Sequence, residues 1–220
     1  MRFTQKKIEM EYLKFKNPNS EKEKDILLAA ERVFGEKGYE GATTKELAEK
    51  ASVTERTLFK YFPTKGDLYI RILSGIVYDF AFNLQMNELK KMLEKTDSKF
   101  ADWFLYIMRN RIKMAKENRH KIRILISAVL SDKDFVKFFG AVWKEKLYSP
   151  AILAMLHFQN KGEIRADLDL HNFVRTSFGI NLSYLIFRFV LVPESQMDDE
   201  SEYKKILEMI SFGILNHQKT

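Results

Sequence analysis

The chain has 220 residues, enough for one large or two small domains with a sizeable apolar core. It contains no cysteine, which excludes disulfides, thiolate metal sites and a cysteine nucleophile. A formal net charge of +7 favours partners that carry phosphate or other anions. The first nine residues hold no apolar run, so no secretory signal is read there, and a cytoplasmic location is expected.

Helical periodicity dominates and strand-like alternation is scarce, so an all-α fold is expected. Residues 1–19 read as a basic, polar N-terminal arm that ends at Asn17-Pro18-Asn19. Ser20 and Glu23 form a capping box that opens a first helix, with Leu27, Ala30, Val33 and Phe34 as its apolar stripe and Gly38 as its stop. Thr43 and Glu46 form a second box, which predicts a short helix over about 44–50. Thr54 can cap a third helix reaching about Tyr61, before Pro63. Thr64 and Asp67 open a long helix running through Leu68, Ile72 and Ile76 to about residue 93. Further helices are expected near 99–117, 120–131, 134–160, 167–191 and 200–216, with loops at 161–167 and 193–200. The stretch Phe173–Val192 has the length of a membrane span, but Arg175 and Arg188 interrupt it. Each charge would cost about 2.5–3.5 kcal/mol at mid-bilayer. A buried helix or an oligomer interface is therefore expected, and no membrane partner.

Residues 44–62 place two short helices about three residues apart. Such a junction needs a small residue at the crossing, which Ala48 supplies, and a turn residue that tolerates positive φ, where Ser52 stands. Val53 and Leu58 are spaced to plug the space between the helices, which completes a helix-turn-helix pattern. The second helix can lay its N-terminal end in a DNA major groove, exposing Glu55, Arg56, Thr57 and Lys60. Arg56 can donate two hydrogen bonds to guanine. Its plain alternative is an ordinary surface arginine.

The stretch from Glu23 to Leu73 resembles the TetR family of bacterial regulators. The likeness rests on Phe34-Gly35-Glu36-Lys37-Gly38-Tyr39, Ala42-Thr43-Thr44, Glu46-Leu47-Ala48, Val53-Thr54, Leu58-Phe59, Tyr61-Phe62, Lys65 and Leu68 in order and spacing. Two positions depart from it. Ser52 stands where glycine is usual, with strain of about 1 kcal/mol. Lys60 stands where an aromatic residue is frequent. The resemblance implies phosphate contacts from Thr43 or Thr44, from the Tyr61 hydroxyl and from Lys65. With Lys45, Thr54 and the exposed side chains of the second helix, these make the expected DNA-binding set. Thr43 and Thr54 could instead be simple caps, Tyr61 a core aromatic and Lys65 a solvated lysine.

The resemblance also implies a division into a DNA-binding domain over 20–66 and a larger ligand-binding and dimerisation domain over 67–220. Ligand contacts are expected from Trp103, Tyr106, Phe139, Trp143, Phe178, Asn181 and Tyr184, core packing being the plain alternative. Gly179, Ser183, Phe187, Ile206, Ile210 and Ile214 are the expected dimer interface. The basic run Arg109–Arg123 reads as a solvated face, or as an anion site for an effector such as an acyl-coenzyme A. The four histidines lack ligand spacing, and no nucleophile or phosphate-loop motif appears, so no metal, cofactor or catalysis is expected. The function expected is a homodimeric, ligand-responsive regulator, a repressor released from a palindromic double-stranded operator by a small apolar effector. The alternative is an apolar-ligand or acyl-coenzyme A binding protein with weak or vestigial DNA binding.

Overall fold

A computed structural model describes residues 5–82, 99–192 and 197–214. Regular structure among the described residues is helical. The helices are α1 (Gln5–Lys16), α2 (Glu21–Gly41), α3 (Thr44–Lys50), α4 (Glu55–Tyr61), α5 (Lys65–Phe82), α6 (Phe100–Glu117), α7 (Arg119–Ser131), α8 (Lys133–Trp143), α9 (Ser149–Asn160), α10 (Leu170–Ile186) and α11 (Asp199–Ile214). Wide π-helical turns follow α8 at Lys144–Tyr148 and α10 at Phe187–Leu191.

The chain divides into two compact units, residues 1–83 with 118–143, and residues 84–117 with 144–220. These packing units do not follow the boundaries expected at 19/20 and 66/67. The expected arm contains α1, which packs along α5. Three anchors hold it. Glu11 pairs with Arg71, Tyr12 stacks on Tyr78 with ring centroids 4.0 Å apart, and Phe15 lies over Gly75. A Cβ on Gly75 would come within 2.4 Å of the Phe15 ring, so only glycine admits this approach. The polar composition of α1 hid a helix whose docking face is narrow.

Packing of the first unit continues past residue 66, because α5, α7 and α8 bury their apolar faces with α2, α3 and α4. Leu68, Ile72, Leu73, Ile76 and Val77 of α5 join Ile26, Ala30, Val33, Phe34, Leu47, Leu58 and Phe62 in one core, together with Ile124, Ala128 and Phe135. Full burial of such a side chain contributes about 1.5–3 kcal/mol. Gly38, at φ 72°, kinks α2 at the predicted stop, and one further turn follows.

In the second unit α6 packs against α10 and α11, and α9 against α10. Residues 133–160, expected as one helix over 134–160, are helical throughout, with the π-helical turn at Lys144–Tyr148 just before Pro150. Proline has no N–H for the preceding turn, so a local departure from the α-helical bonding pattern suits it. Asp169 caps α10, accepting from the N–H of His171 and Asn172. The Asn172 bond first, and the His171 bond with it, hold its carboxyl below the usual range against an opposing desolvation effect. Residues 83–93 of the expected long helix, and 193–196 of the expected acidic loop, lie outside the described residues. No helix among the described residues is long and apolar enough to cross a membrane.

Candidate nucleic-acid interface

The expected capping residues act as caps. Thr43 accepts from the Glu46 N–H at 3.2 Å, and Thr54 accepts from the Thr57 N–H at 3.2 Å. Each leaves other N–H groups of its helix start facing outward, where an anion can meet them. The Glu46 carboxylate does not return to its own cap; it pairs with Lys37. Thr64 and Asp67 bond reciprocally at the start of α5.

The turn between α3 and α4 is a Schellman closure. Val53 N–H reaches Ala48 O at 2.9 Å, and Ser52 N–H reaches Glu49 O at 3.0 Å. Ser52 has φ 54°, the one non-glycine residue with positive φ among the described residues. The closure after α9 repeats the pattern, with Gly162 at φ 75° in the same place. Ala48 and Leu58 are buried between the two helices, as their spacing predicts.

On α4, Glu55, Arg56, Phe59 and Lys60 are exposed and Thr57 is half-buried. Glu55 accepts a 2.5 Å hydrogen bond from the Thr44 hydroxyl, which ties the start of α3 to the start of α4. Both groups thus have an internal partner. Thr54 and Thr57 hydroxyls lie 3.0 Å apart. Lys45 is exposed, 4.0 Å from Glu49. Phe59 was not among the expected contacts, yet it is 40% exposed. Its signal was an apolar residue one turn from Arg56 on the outward face.

Two residues have internal tasks the sequence did not disclose. Lys65 donates to Tyr39 O at 2.9 Å and Ala42 O at 3.0 Å, with its ammonium 4.3 Å from the Tyr39 ring centre. It closes the C-terminal end of α2, where carbonyls lack partners and the helix dipole favours a cation. Two of its three donors are thus used within the protein, which leaves at most one for a phosphate and departs from the alternative of a solvated lysine. Burial, then the nearby Glu40 and Asp67 carboxylates, push the Tyr39 phenol up. Tyr61 is half-buried, and its oxygen accepts from the Ser20 hydroxyl at 3.4 Å. Its own O–H stays available as a donor. Ser20 and Tyr61 lie 41 residues apart, so no local pattern links them.

The expected ligand residues do not share one unit. Phe139 and Trp143 belong to the first, where Phe139 stacks on Phe135 with centroids 5.7 Å apart and packs against its core. Trp103, Tyr106, Phe178, Asn181 and Tyr184 belong to the second. Trp103 is buried among Phe100, Phe104 and Phe158 neighbours, and its Nε1 meets no hydrogen-bond partner. Asn181 donates to Ser177 O at 2.7 Å, while its Oδ1 and the Ser177 Oγ are buried without partners, as is His157 Nε2. Tyr184 is already engaged, since its hydroxyl donates to Asp199 at 2.5 Å. Burial and then this bond push the Tyr184 phenol well up. Asp199 also meets Arg188 at 3.2 Å and Lys116 at 2.7 Å. Burial opposes its charge, but the Lys116 and Tyr184 bonds and the neighbouring cations prevail and hold its carboxyl low.

Of the expected interface residues, Gly179 and Ser183 are exposed and Phe187 is 44% exposed. Ile206 is half-buried. Ile210 is buried within its own protomer, a correction, because α11 turns that face inward. The Ile214 side chain lies outside the described residues. Exposed Leu182, Met209 and Phe212 were not expected.

Three cations of the basic run, Arg109, Lys116 and Lys121, meet protein carboxylates. In the second unit Arg109 bonds Glu200 in bidentate fashion at 3.1 and 2.5 Å, and Lys116 meets Asp199. In the first, Lys121 meets Asp79 at 2.9 Å. A cleft of about 450 Å³ lies between α6 and the start of α11, lined by Arg109, Lys113 and Lys116 but also by Glu117, Asp198, Asp199 and Glu200. Its mixed charge does not make an anion site.

The profile described as "Bacterial regulatory proteins, tetR family" matches residues 26–72, the segment that holds α3 and α4. An uncharacterized HTH-type transcriptional regulator, YvkB of Bacillus subtilis, is 49% identical over 51 residues, which are 23% of this chain and 27% of the relative. The HTH-type transcriptional activator FasR of Mycolicibacterium smegmatis is 36% identical over 56 residues, 26% of each chain. The alignments thus span about a quarter of these curated relatives. In fold, the chain is similar to the ketosteroid transcriptional regulator KstR2 of Mycobacterium tuberculosis, with a TM-score of 0.67 at 16% identity over 90% of this chain and 97% of that one. The helix-turn-helix and its flanking caps thus lie in the segment that matches the TetR-family profile, and the all-helical fold is similar to that of KstR2.

Proposed function

We propose that this protein is a ligand-responsive transcriptional regulator that binds double-stranded DNA as a homodimer. The observation that carries this reading is the outward face of α4, where Arg56, Phe59 and Lys60 stand exposed beside the capped starts of α3 and α4. Arg56 reads guanine edges, Phe59 meets a thymine methyl group, and Lys60 and the Tyr61 hydroxyl hold phosphate. Two such heads on a two-fold axis read a near-palindromic site. The two-fold contact uses exposed Gly179, Leu182 and Ser183 of α10, Phe187 of the turn that follows, and Met209 and Phe212 of α11. The effector binds in the second unit, where Trp103 Nε1, Ser177 Oγ and Asn181 Oδ1 are unpartnered and Trp103 packs on Phe158. An apolar molecule bearing a hydroxyl or carbonyl matches such a lining. Its preference for one conformation of the dimer shifts DNA affinity, with release as the direction proposed. The acyl-coenzyme A alternative draws little support, because Arg109, Lys116 and Lys121 already face carboxylates.

The test is to select genomic fragments on the purified protein at moderate salt and footprint those retained. A compact, near-palindromic protected site is the expected result, and binding that never distinguishes sequences would sink the reading. Arg56→Ala should relax base preference at one position per half-site, by about 1–3 kcal/mol of discrimination. Tyr61→Phe should weaken binding to every sequence alike.

A further inference from the structure

A chain of polar contacts runs from α1 to the far end of the reading helix. Arg71 of α5 is 8% exposed, and its guanidinium is shared between two carboxylates on different helices. Its Nε donates to Glu11 of α1 at 2.5 Å and its Nη1 to Glu23 of α2 at 2.5 Å. Glu23 in turn accepts from the backbone N–H of Asn19 at 2.9 Å and from its side-chain amide at 3.2 Å. The Glu23 N–H donates to Ser20 Oγ at 3.2 Å, and the Ser20 hydroxyl donates to the Tyr61 oxygen. The Arg71 guanidinium also lies 5.1 Å from the ring centre of Phe62, the residue that ends α4. One buried cation therefore touches α1 directly and meets α4 at both its last residue, through Ser20, and its cap.

We propose that α1, which lies outside the family-matched segment, is a positioning element for DNA reading, and that Glu11 and Arg71 are its positioning residues. They act through Glu23 and Ser20 to fix the Tyr61 hydroxyl. The Ser20 bond occupies the phenol oxygen as an acceptor and directs its O–H outward, the arrangement a phosphate contact needs. Burial matters here, because hydrogen-bonded charges in a dry site hold geometry better than exposed pairs do. Removing Glu11 leaves Arg71 with Glu23 alone, so Glu23 and the Asn19-Ser20 corner shift. The inference rests on the DNA-binding reading, but its first readout needs no DNA.

That readout is amide hydrogen exchange over Leu58–Phe62 in the free protein. Faster exchange there in Glu11→Ala, with partial recovery in Glu11→Gln, is expected; unchanged exchange overturns the relay. The second readout is a double-mutant cycle on DNA affinity with Glu11→Ala and Tyr61→Phe, each variant first verified as folded by circular dichroism. Each single change should weaken binding about three- to tenfold, and the double variant should lose little beyond Tyr61→Phe. Losses that simply multiply, or a lowered Tm with unchanged affinity, would reduce α1 to a stabilising helix and overturn the proposal. A wild-type protein that binds no fragment would instead overturn the DNA-reading role and the positioning assignment with it.

Discussion

Both units hold a bonded buried polar cluster, Arg71 with two carboxylates in the first and Asp199 with Tyr184 and Arg188 in the second, but they differ in what else they leave unbonded. In the first, Arg71 donates to both Glu11 and Glu23, Ser74 donates to Ile70 O, and Lys65 closes two carbonyls. In the second, Trp103 Nε1, His157 Nε2, Ser177 Oγ and Asn181 Oδ1 are buried with no protein partner. An unsatisfied buried group costs about 1–3 kcal/mol, so an interior that carries several has unused binding capacity.

The contrast can be broken at several points, beginning with the largest expected effect. Arg71→Ala strands two buried carboxylates and should cost about 3–5 kcal/mol by urea denaturation. A loss under 1 kcal/mol would mean that the cluster is solvated and the first unit less tightly paired than its distances indicate. Lys65→Ala should cost about 1–2 kcal/mol, since it removes two charge-assisted bonds at a half-buried site. The same chemical change made in both units sharpens the comparison further. Ser20→Ala should cost about 1 kcal/mol as a lost cap, whereas Ser177→Ala, which removes an orphan hydroxyl, should cost nothing or stabilise by about 1 kcal/mol. Equal losses would refute the distinction. Ser52→Gly should add about 1 kcal/mol by relieving φ 54°, since Gly162 already serves the equivalent turn.

The smallest effect is electrostatic and belongs to the second unit. The Arg109 hydrogen bond, then that of Tyr203, holds the exposed Glu200 carboxyl at about 2, against an ordinary 4.5. A depressed carboxyl stabilises the fold above its unfolded value, and that contribution fades as pH falls from about 4.5 towards about 2. Thermal melts of Glu200→Gln should accordingly show a shallower decline of Tm across that acid window than the wild type. Parallel declines would mean the pair is screened away.

Local patterns account for much of the head. Ser20, Thr43 and Thr54 cap the helices their spacing announces, and Ala48 and Leu58 are buried where a helix crossing requires them. Arg56 and Lys60 stand exposed on α4, because outward positions follow from a 3.6-residue period once the buried stripe is known. The polar arm concealed α1, whose helix depends on partners some 60 residues away, and periodicity carries no such information. Phe139 and Trp143 looked like pocket aromatics because composition cannot tell which core an aromatic joins.

The sequence by itself thus determined the helix starts, the reading helix and its outward side chains, since capping, turn conformation and helical period act within a few residues. Only tertiary structure decided the partners. It gave Lys65 to the end of α2, Ser20 to Tyr61, Arg71 to two helices at once and Ile210 to its own core. Charge pairing and burial are settled by which helices meet, and that is a property of the packed chain as a whole.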